Sequence, residues 1–138
     1  KKLGGPDLPA VGFGMGDVTL RDLLEAKKLI PAYADGPDFF VMVLGPDARN
    51  AALEDVANLR RAGFRVEYNL RDGKFGKLAQ QAETAGAKYA LVYGGEEVAK
   101  GVTKVRSLTD RTEAEIPRTD LVPALRAVLE EGMRAILP

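Results

Sequence analysis

The 138-residue sequence contains no cysteine and no histidine. Without cysteine there is no disulfide and no thiolate metal site. Without histidine the chain lacks the commonest metal ligand and the commonest general base, so neither a metalloenzyme nor a histidine-dependent hydrolase fits. No apolar run approaches the roughly 18 residues that a membrane span needs, and no secretory signal pattern opens the chain. These absences make a cytoplasmic protein with no membrane partner the expectation. An excess of charge is also missing: 20 Lys and Arg balance 20 Asp and Glu, so composition alone does not announce a nucleic-acid binder.

What is present is ordinary for a globular chain, with 46% apolar and 29% charged residues in a length suited to one compact domain. The charge is unevenly placed. Between 60 and 77 the chain carries Arg60, Arg61, Arg65, Arg71, Lys74 and Lys77 against Glu67 and Asp72, and a second basic cluster holds Lys100, Lys104 and Arg106. Such runs are usually solvated faces. Brought to one edge of a sheet, they would steer phosphate.

Two parts follow from the pattern. Gly4, Gly5, Pro6 and Pro9 make an irregular start, and 10–15 reads as a short, glycine-interrupted buried strand. Asp17 is placed as an N-cap, and Val18, Leu20, Leu23, Leu24 and Leu29 give a helix over 17–29. A linker rich in Pro and Gly follows over 30–37. A lone strand cannot satisfy its ladder groups and a lone helix cannot bury its stripe. This first part therefore needs either partners outside the sequence or a place on the second part.

From 38 onward the order is regular. The apolar run 39–44 reads as a strand covered on both faces. Gly45, Pro46 and Asp47 open a helix that carries Ala52, Val56 and Leu59 on one side and ends at Gly63. Phe64, Val66 and Tyr68 alternate with polar residues as a strand, Asp72 and Gly73 turn the chain, and a helix spans 75–85 before Gly86. A buried strand covers 89–93 and stops at Gly94 and Gly95. This order implies parallel pairing through right-handed crossovers. Segments 102–108 and 112–116 then flank a turn and predict an antiparallel hairpin. A last helix is capped by Thr119 or Asp120, with Pro123 tolerated in its first turn and Val122, Leu125, Val128, Leu129 and Ile136 as its buried stripe. The expected fold is an α/β three-layer α/β/α sandwich with a mixed five-stranded sheet, βαβαβ followed by a hairpin and a C-terminal helix.

The run Gly12, Phe13, Gly14, Met15, Gly16 ahead of a helix invites a phosphate-loop reading. Its spacing matches neither the dinucleotide fingerprint nor the P-loop, and Asp17 sits where a phosphate would arrive. With its lead-in from Gly4-Gly5-Pro6 through Pro9 and Val11-Gly12-Phe13, the segment resembles the third class II motif of histidyl-tRNA synthetases. The rest of the chain is similar to the anticodon-binding domain of that family. Its landmarks are Val43-Leu44-Gly45, the stretch from Leu59-Arg60-Arg61 to Val66-Glu67, and Val102-Thr103-Lys104-Val105. The resemblance covers nearly the whole sequence. It implies a remnant of the catalytic domain over 1–29, a linker over 30–37 and the anticodon-binding domain over 38–138.

It also implies roles. Gly12, Gly14 and Gly16 would be the remnant of the nucleotide and histidine pocket, while ATP and magnesium belong to the parent enzyme and no cofactor or metal to this piece. Tyr68, Asn69, Arg71, Lys74, Lys77 and Gln81 would face the anticodon arm of histidine tRNA: cations on phosphates, amides on base edges, the tyrosine stacking. No catalytic residue is expected, since motifs one and two lie outside the sequence. The parent family is dimeric mainly through its catalytic domain, so this piece is expected to be monomeric. Two departures matter. Val18 and Thr19 stand where motif three has an acid and an ATP-binding arginine, with Arg21 two places late. Gly76, Lys77 and Leu78 stand where the family often has Lys-Lys-Gln. These departures favour an alternative, a synthetase-like regulatory or protein-interaction module that no longer charges tRNA. A flavodoxin-like small-molecule binder is disfavoured by the change to a hairpin after Gly95.

Overall fold

The structure is a computed structural model that describes Gly4, Pro9, 11–30 and 36–137. It divides into two compact units, Lys1–Ala34 and Asp35–Pro138. Ala10 and the residues 31–35 of the expected linker lie outside the described residues.

In the first unit α1 spans Asp17–Ala26. Gly16 is the N-cap residue and Asp17 the first helical one, its carboxylate accepting from the adjacent Val18 N at 2.9 Å. The helix stops three residues short of the expected 29, Lys28 adopting a left-handed φ of 55°. The strand expected at 10–15 does not form: 11–16 are irregular and exposed. The reason is the one already given for a lone strand, because no described strand lies alongside to complete its ladder. Val11, Phe13, Met15, Val18 and Leu23 stay exposed, and α1 buries none of its residues.

The second unit is built on a five-stranded sheet in the order β2-β1-β3-β4-β5. Its strands are β1 (Phe39–Val43), β2 (Val66–Tyr68), β3 (Tyr89–Tyr93), β4 (Val102–Ser107) and β5 (Glu113–Pro117). β1 pairs in parallel with β2 and β3, whereas β3, β4 and β5 pair antiparallel, as the crossovers and the hairpin predicted. β1 is an interior strand and wholly buried, and its alternation feeds two cores. Phe39, Val41 and Val43 join Val56 and Leu59 of α2 (Pro46–Arg61) and Leu121, Leu125 and Val128 of α5 (Leu121–Glu131). Phe40 and Met42 join Leu78 and Ala82 of α3 (Phe75–Thr84) on the other face. Those are the three layers.

Local chemistry sets the boundaries. Pro46 occupies the first turn of α2, where its missing N–H costs nothing, and Gly63 follows the helix at a φ of 92°. β2 is shorter than the alternating run expected over 64–69. The Arg65 carbonyl accepts from both Asp38 N and Phe39 N, so the regular ladder begins only at Val66, while Phe64 packs edge-on against Phe39. A short helix, α4 (Gly95–Ala99), follows β3 where the sequence suggested only a stop, since five residues are too few to show a period. Before α5 the chain makes a 3-10 turn at Arg118–Asp120, so Thr119 lies in that turn. Asp120 precedes α5 but makes no side-chain cap. The buried stripe of α5 runs through Leu121, not Leu129, which is 41% exposed. Gly36 is needed for space: a Cβ there would stand 2.7 Å from the Gly86 carbonyl oxygen.

Beneath α2 lies a polar cluster that sequence patterning did not flag. Tyr93 donates to Asp55 Oδ2 at 2.8 Å, and Arg118 grips the same carboxylate through Nε at 2.6 Å and Nη2 at 3.1 Å. Burial, and after it the Asp55 charge, hold the Tyr93 phenol well above its ordinary range, so it remains a donor. The cluster ties the middle of α2 to β3 and to the turn before α5.

Candidate nucleic-acid interface

β2 is an edge strand of three residues, and the candidate site begins where it ends. Its pairing with β1 stops at Val41 and Tyr68. Beyond that point the Asn69 side chain takes the place of a backbone rung. Its Oδ1 accepts from Val43 N at 2.7 Å and its Nδ2 donates to Val43 O at 3.0 Å, and also to Arg71 O at 3.0 Å. With Val43 satisfied in this way, the chain can leave the sheet and swing through Leu70, Arg71 and Asp72 toward α3.

That path encloses a cleft of about 530 Å³. Glu67 and Tyr68 form its strand wall, Leu70 to Gly73 its loop wall, Lys77 and Gln81 its helix wall, and Leu78 lies beneath them. It stands at the carboxyl end of β2, the side on which open α/β sheets place their ligands. A shallower groove of about 270 Å³ continues along the outer face of α3, where Gln80 and Thr84 join Lys77 and Gln81.

The charges sort themselves by what they touch. Arg60 donates twice to the Val66 carbonyl, at 3.1 and 2.6 Å, and lies 5.7 Å from the centre of the Tyr68 ring. Arg61 bonds Asn58, and Arg65 grips Asp38. Lys104 pairs with Glu97 at 3.3 Å, and Arg106 pairs with Glu113 while covering the Phe75 ring, so most of the second basic cluster is spent within the fold. By contrast, among the described residues Arg71, Lys74 and Lys77 have no ion-pair partner. Asp72 is held by Arg49 at 2.6 Å.

Four of the six residues singled out from the sequence therefore border one cleft, Tyr68, Arg71, Lys77 and Gln81, although the Tyr68 ring itself turns to the opposite face of the sheet and packs with the α2 core beneath Arg60. Lys74 is exposed at the N-terminus of α3 and stands beside the cleft without lining it. Asn69 differs from the expectation of a base-facing amide. It is 1% exposed and fully engaged with backbone, so it shapes the cleft from behind. Glu67 and Leu70 also line the cleft, and neither is among the six residues expected from the sequence. Leu70 is 75% exposed, and an apolar side chain between Asn69 and Arg71 was the available signal.

The glycine run belongs to the first unit. Gly14 and Gly16 border a shallow depression with Met15, Thr19, Leu20 and Leu23, and a Cβ at Gly12 or Gly14 would meet nothing within 4 Å. Among the described residues no group of three or more Asp or Glu side chains could hold a metal ion. Val18 and Thr19 offer no cation for a triphosphate, so these residues do not by themselves fit ATP and magnesium. No described helix is long and apolar enough to cross a membrane.

Comparison with known proteins bears on this arrangement. The family model described as "Anticodon binding domain" matches residues 38–128. The chain is 52% identical over 126 residues to a histidine–tRNA ligase from Opitutus terrae, covering 91% of this chain and 29% of that protein. It is 34% identical over 128 residues to one from Pyrococcus abyssi, covering 93% and 30%. It thus spans under a third of the length of these relatives. A solved histidyl-tRNA synthetase from Nostoc sp. PCC 7120 matches with a TM-score of 0.64 at 20% identity, over 81% of this chain and 27% of its own, a likeness of fold. By the match to 38–128, a span that holds the whole sheet and the cleft at its edge, the chain belongs to the anticodon-binding-domain family, in the form found in histidyl-tRNA synthetases.

Proposed function

We propose that this chain is the RNA-reading part of a histidine–tRNA ligase and grips the anticodon arm of histidine tRNA in the cleft between β2 and α3. The observation that carries the reading is the convergence on one cleft, at the end of an edge strand, of an amide, an acid and two cations that have no ion-pair partner among the described residues. Arg71 and Lys77 would neutralise phosphates and set register, while Gln81 reaches base edges and Leu70 gives splayed bases an apolar surface. The first unit would be the last piece of the catalytic domain, its exposed apolar residues covered by the remainder of the ligase. ATP-dependent charging, a homodimeric parent and a cytoplasmic location belong to the same reading. Binding is all that these residues supply.

The test is titration of the full 138-residue chain with a histidine anticodon stem-loop, and with the same hairpin carrying a scrambled anticodon, across a salt series. The expected result is tighter binding to the histidine hairpin. Arg71→Ala and Lys77→Ala should each flatten the slope of log K against log salt by about 0.7–0.9, one phosphate contact apiece. Equal binding to both hairpins, or an unchanged slope in both variants, overturns the reading.

A further inference from the structure

The cleft contains an acid that RNA phosphate would be expected to repel. Glu67 lies on β2 beside Phe40 of β1, on the sheet face that α3 covers, and it lines the same cleft as Arg71, Lys77 and Gln81. Asp72, the other acid of that lining, is taken by Arg49. Among the described residues Glu67 has no hydrogen-bond or ion-pair partner, although two cations share its cleft. A carboxylate left open among phosphate-binding cations costs affinity unless the RNA brings donors to it. Phosphates bring none, so the donors must come from base edges or ribose hydroxyls.

Carboxylate geometry selects among the bases. Two acceptor oxygens side by side match two parallel N–H groups. The Watson–Crick edge of guanine presents such a pair, N1–H and the N2 amino group. Adenine, cytosine and uracil each offer one donor position there. Guanine also carries O6 next to that pair, and the Gln81 amide, Arg71 or Lys77 can donate to it. We infer that Glu67 is a specificity-determining residue that reads an unstacked guanine through its N1 and N2 hydrogens, with the exposed Leu70 as the apolar surface beside the base. The inference rests on the proposed RNA binding and deepens it by naming the base.

The experiment uses the full chain and the histidine anticodon hairpin with its guanines replaced one at a time by inosine, which lacks only the N2 amino group. At one position the wild-type chain should lose about ten-fold in affinity, the worth of one hydrogen bond to a charged acceptor. Glu67→Ala, at an exposed site where thermal melting should be unchanged, should bind guanine and inosine hairpins within two-fold of each other. It should also bind the scrambled hairpin more tightly than wild type does, because a charge that repels phosphate is gone. A solvated Glu67 with no reading role would raise binding to every hairpin equally and leave guanine and inosine as they were in wild type, and that result overturns the inference. Wild-type preference for the histidine hairpin without any inosine effect overturns it while sparing the proposed function. Failure of wild type to bind any hairpin overturns both.

Discussion

Asn69→Ala tests whether the cleft is held open by one buried amide. The side chain makes three hydrogen bonds, two of them to the backbone N–H and C=O of Val43, a residue 1% exposed at the end of β1. Truncation leaves both Val43 groups without partners. An unsatisfied buried polar group costs about 1–3 kcal/mol, and water entering from the cleft should recover part of that. The expected loss is about 2–4 kcal/mol. For a unit of this size each kcal/mol moves the melting point by about 4–8 °C. Urea melts followed by circular dichroism would measure it, and a change below about 0.5 kcal/mol would refute the reasoning. Asn69→Asp separates donors from shape. The carboxylate must face the carbonyl oxygens of Val43 and Arg71, so its folded-state pKa should be raised. Its destabilisation should then be full at pH 7 and relieved as pH falls and the carboxyl regains a proton to donate. The link to RNA is checked by combining substitutions. If Asn69 acts by placing Arg71, Asn69→Ala should weaken hairpin binding in the wild-type background and add little in the Arg71→Ala background.

Two further substitutions address the frame behind the cleft. Arg118→Ala should cost about 3 kcal/mol in urea melts, because it leaves the 8%-exposed Asp55 carboxylate with Tyr93 as its remaining side-chain partner, and Arg118→Lys should restore only part of that because it cannot engage both oxygens. A loss under 1 kcal/mol for Arg118→Ala would mean that the pair is as solvated as a surface bridge. Burial opposes ionisation of Asp38, but the bonds from Arg65 outweigh it and hold the carboxyl below its usual range. A depressed folded-state pKa gives stability that is present above the ordinary Asp value, about 3.9, and lost as pH falls through the folded value. Asp38→Asn should therefore be less stable than wild type at pH 7 and converge with it as pH falls through the folded value; parallel pH profiles for the two proteins would contradict this.

Much of the second unit was legible because its signals are local. The run at 39–43 is apolar throughout since both faces of β1 are covered, and Pro46, Gly63 and Gly86 mark helix ends by backbone conformation alone. The parallel order and the hairpin followed from connection lengths. Where reading failed, the deciding contact was remote. β2 starts late because of Asp38 and Phe39, 27 residues before it. The α5 stripe turns toward Leu121 because the 3-10 turn at Arg118–Asp120 sets its phase. The strand expected in the first unit had the right composition but no described partner strand beside it.

The candidate site divides in the same way. Sequence determined the residue types near the end of β2 and the fact that Tyr68, Arg71, Lys77 and Gln81 fall in one stretch. It could not say which charges remain free. Arg60, Arg65, Lys104 and Arg106 look alike in a list of cations, yet each is engaged by a group distant in sequence or on another element, while Arg71 and Lys77 meet across an open cleft. Nor could sequence tell the two polar residues around Tyr68 apart. Alternation sends Glu67 to the face that α3 leaves partly uncovered, whereas Asn69 falls where β1 ends with two backbone groups still needing partners. Chain chemistry fixed the inventory, and tertiary packing decided which members face solvent, because a hydrogen-bonding demand at Val43 can be met only by whatever the fold brings beside it.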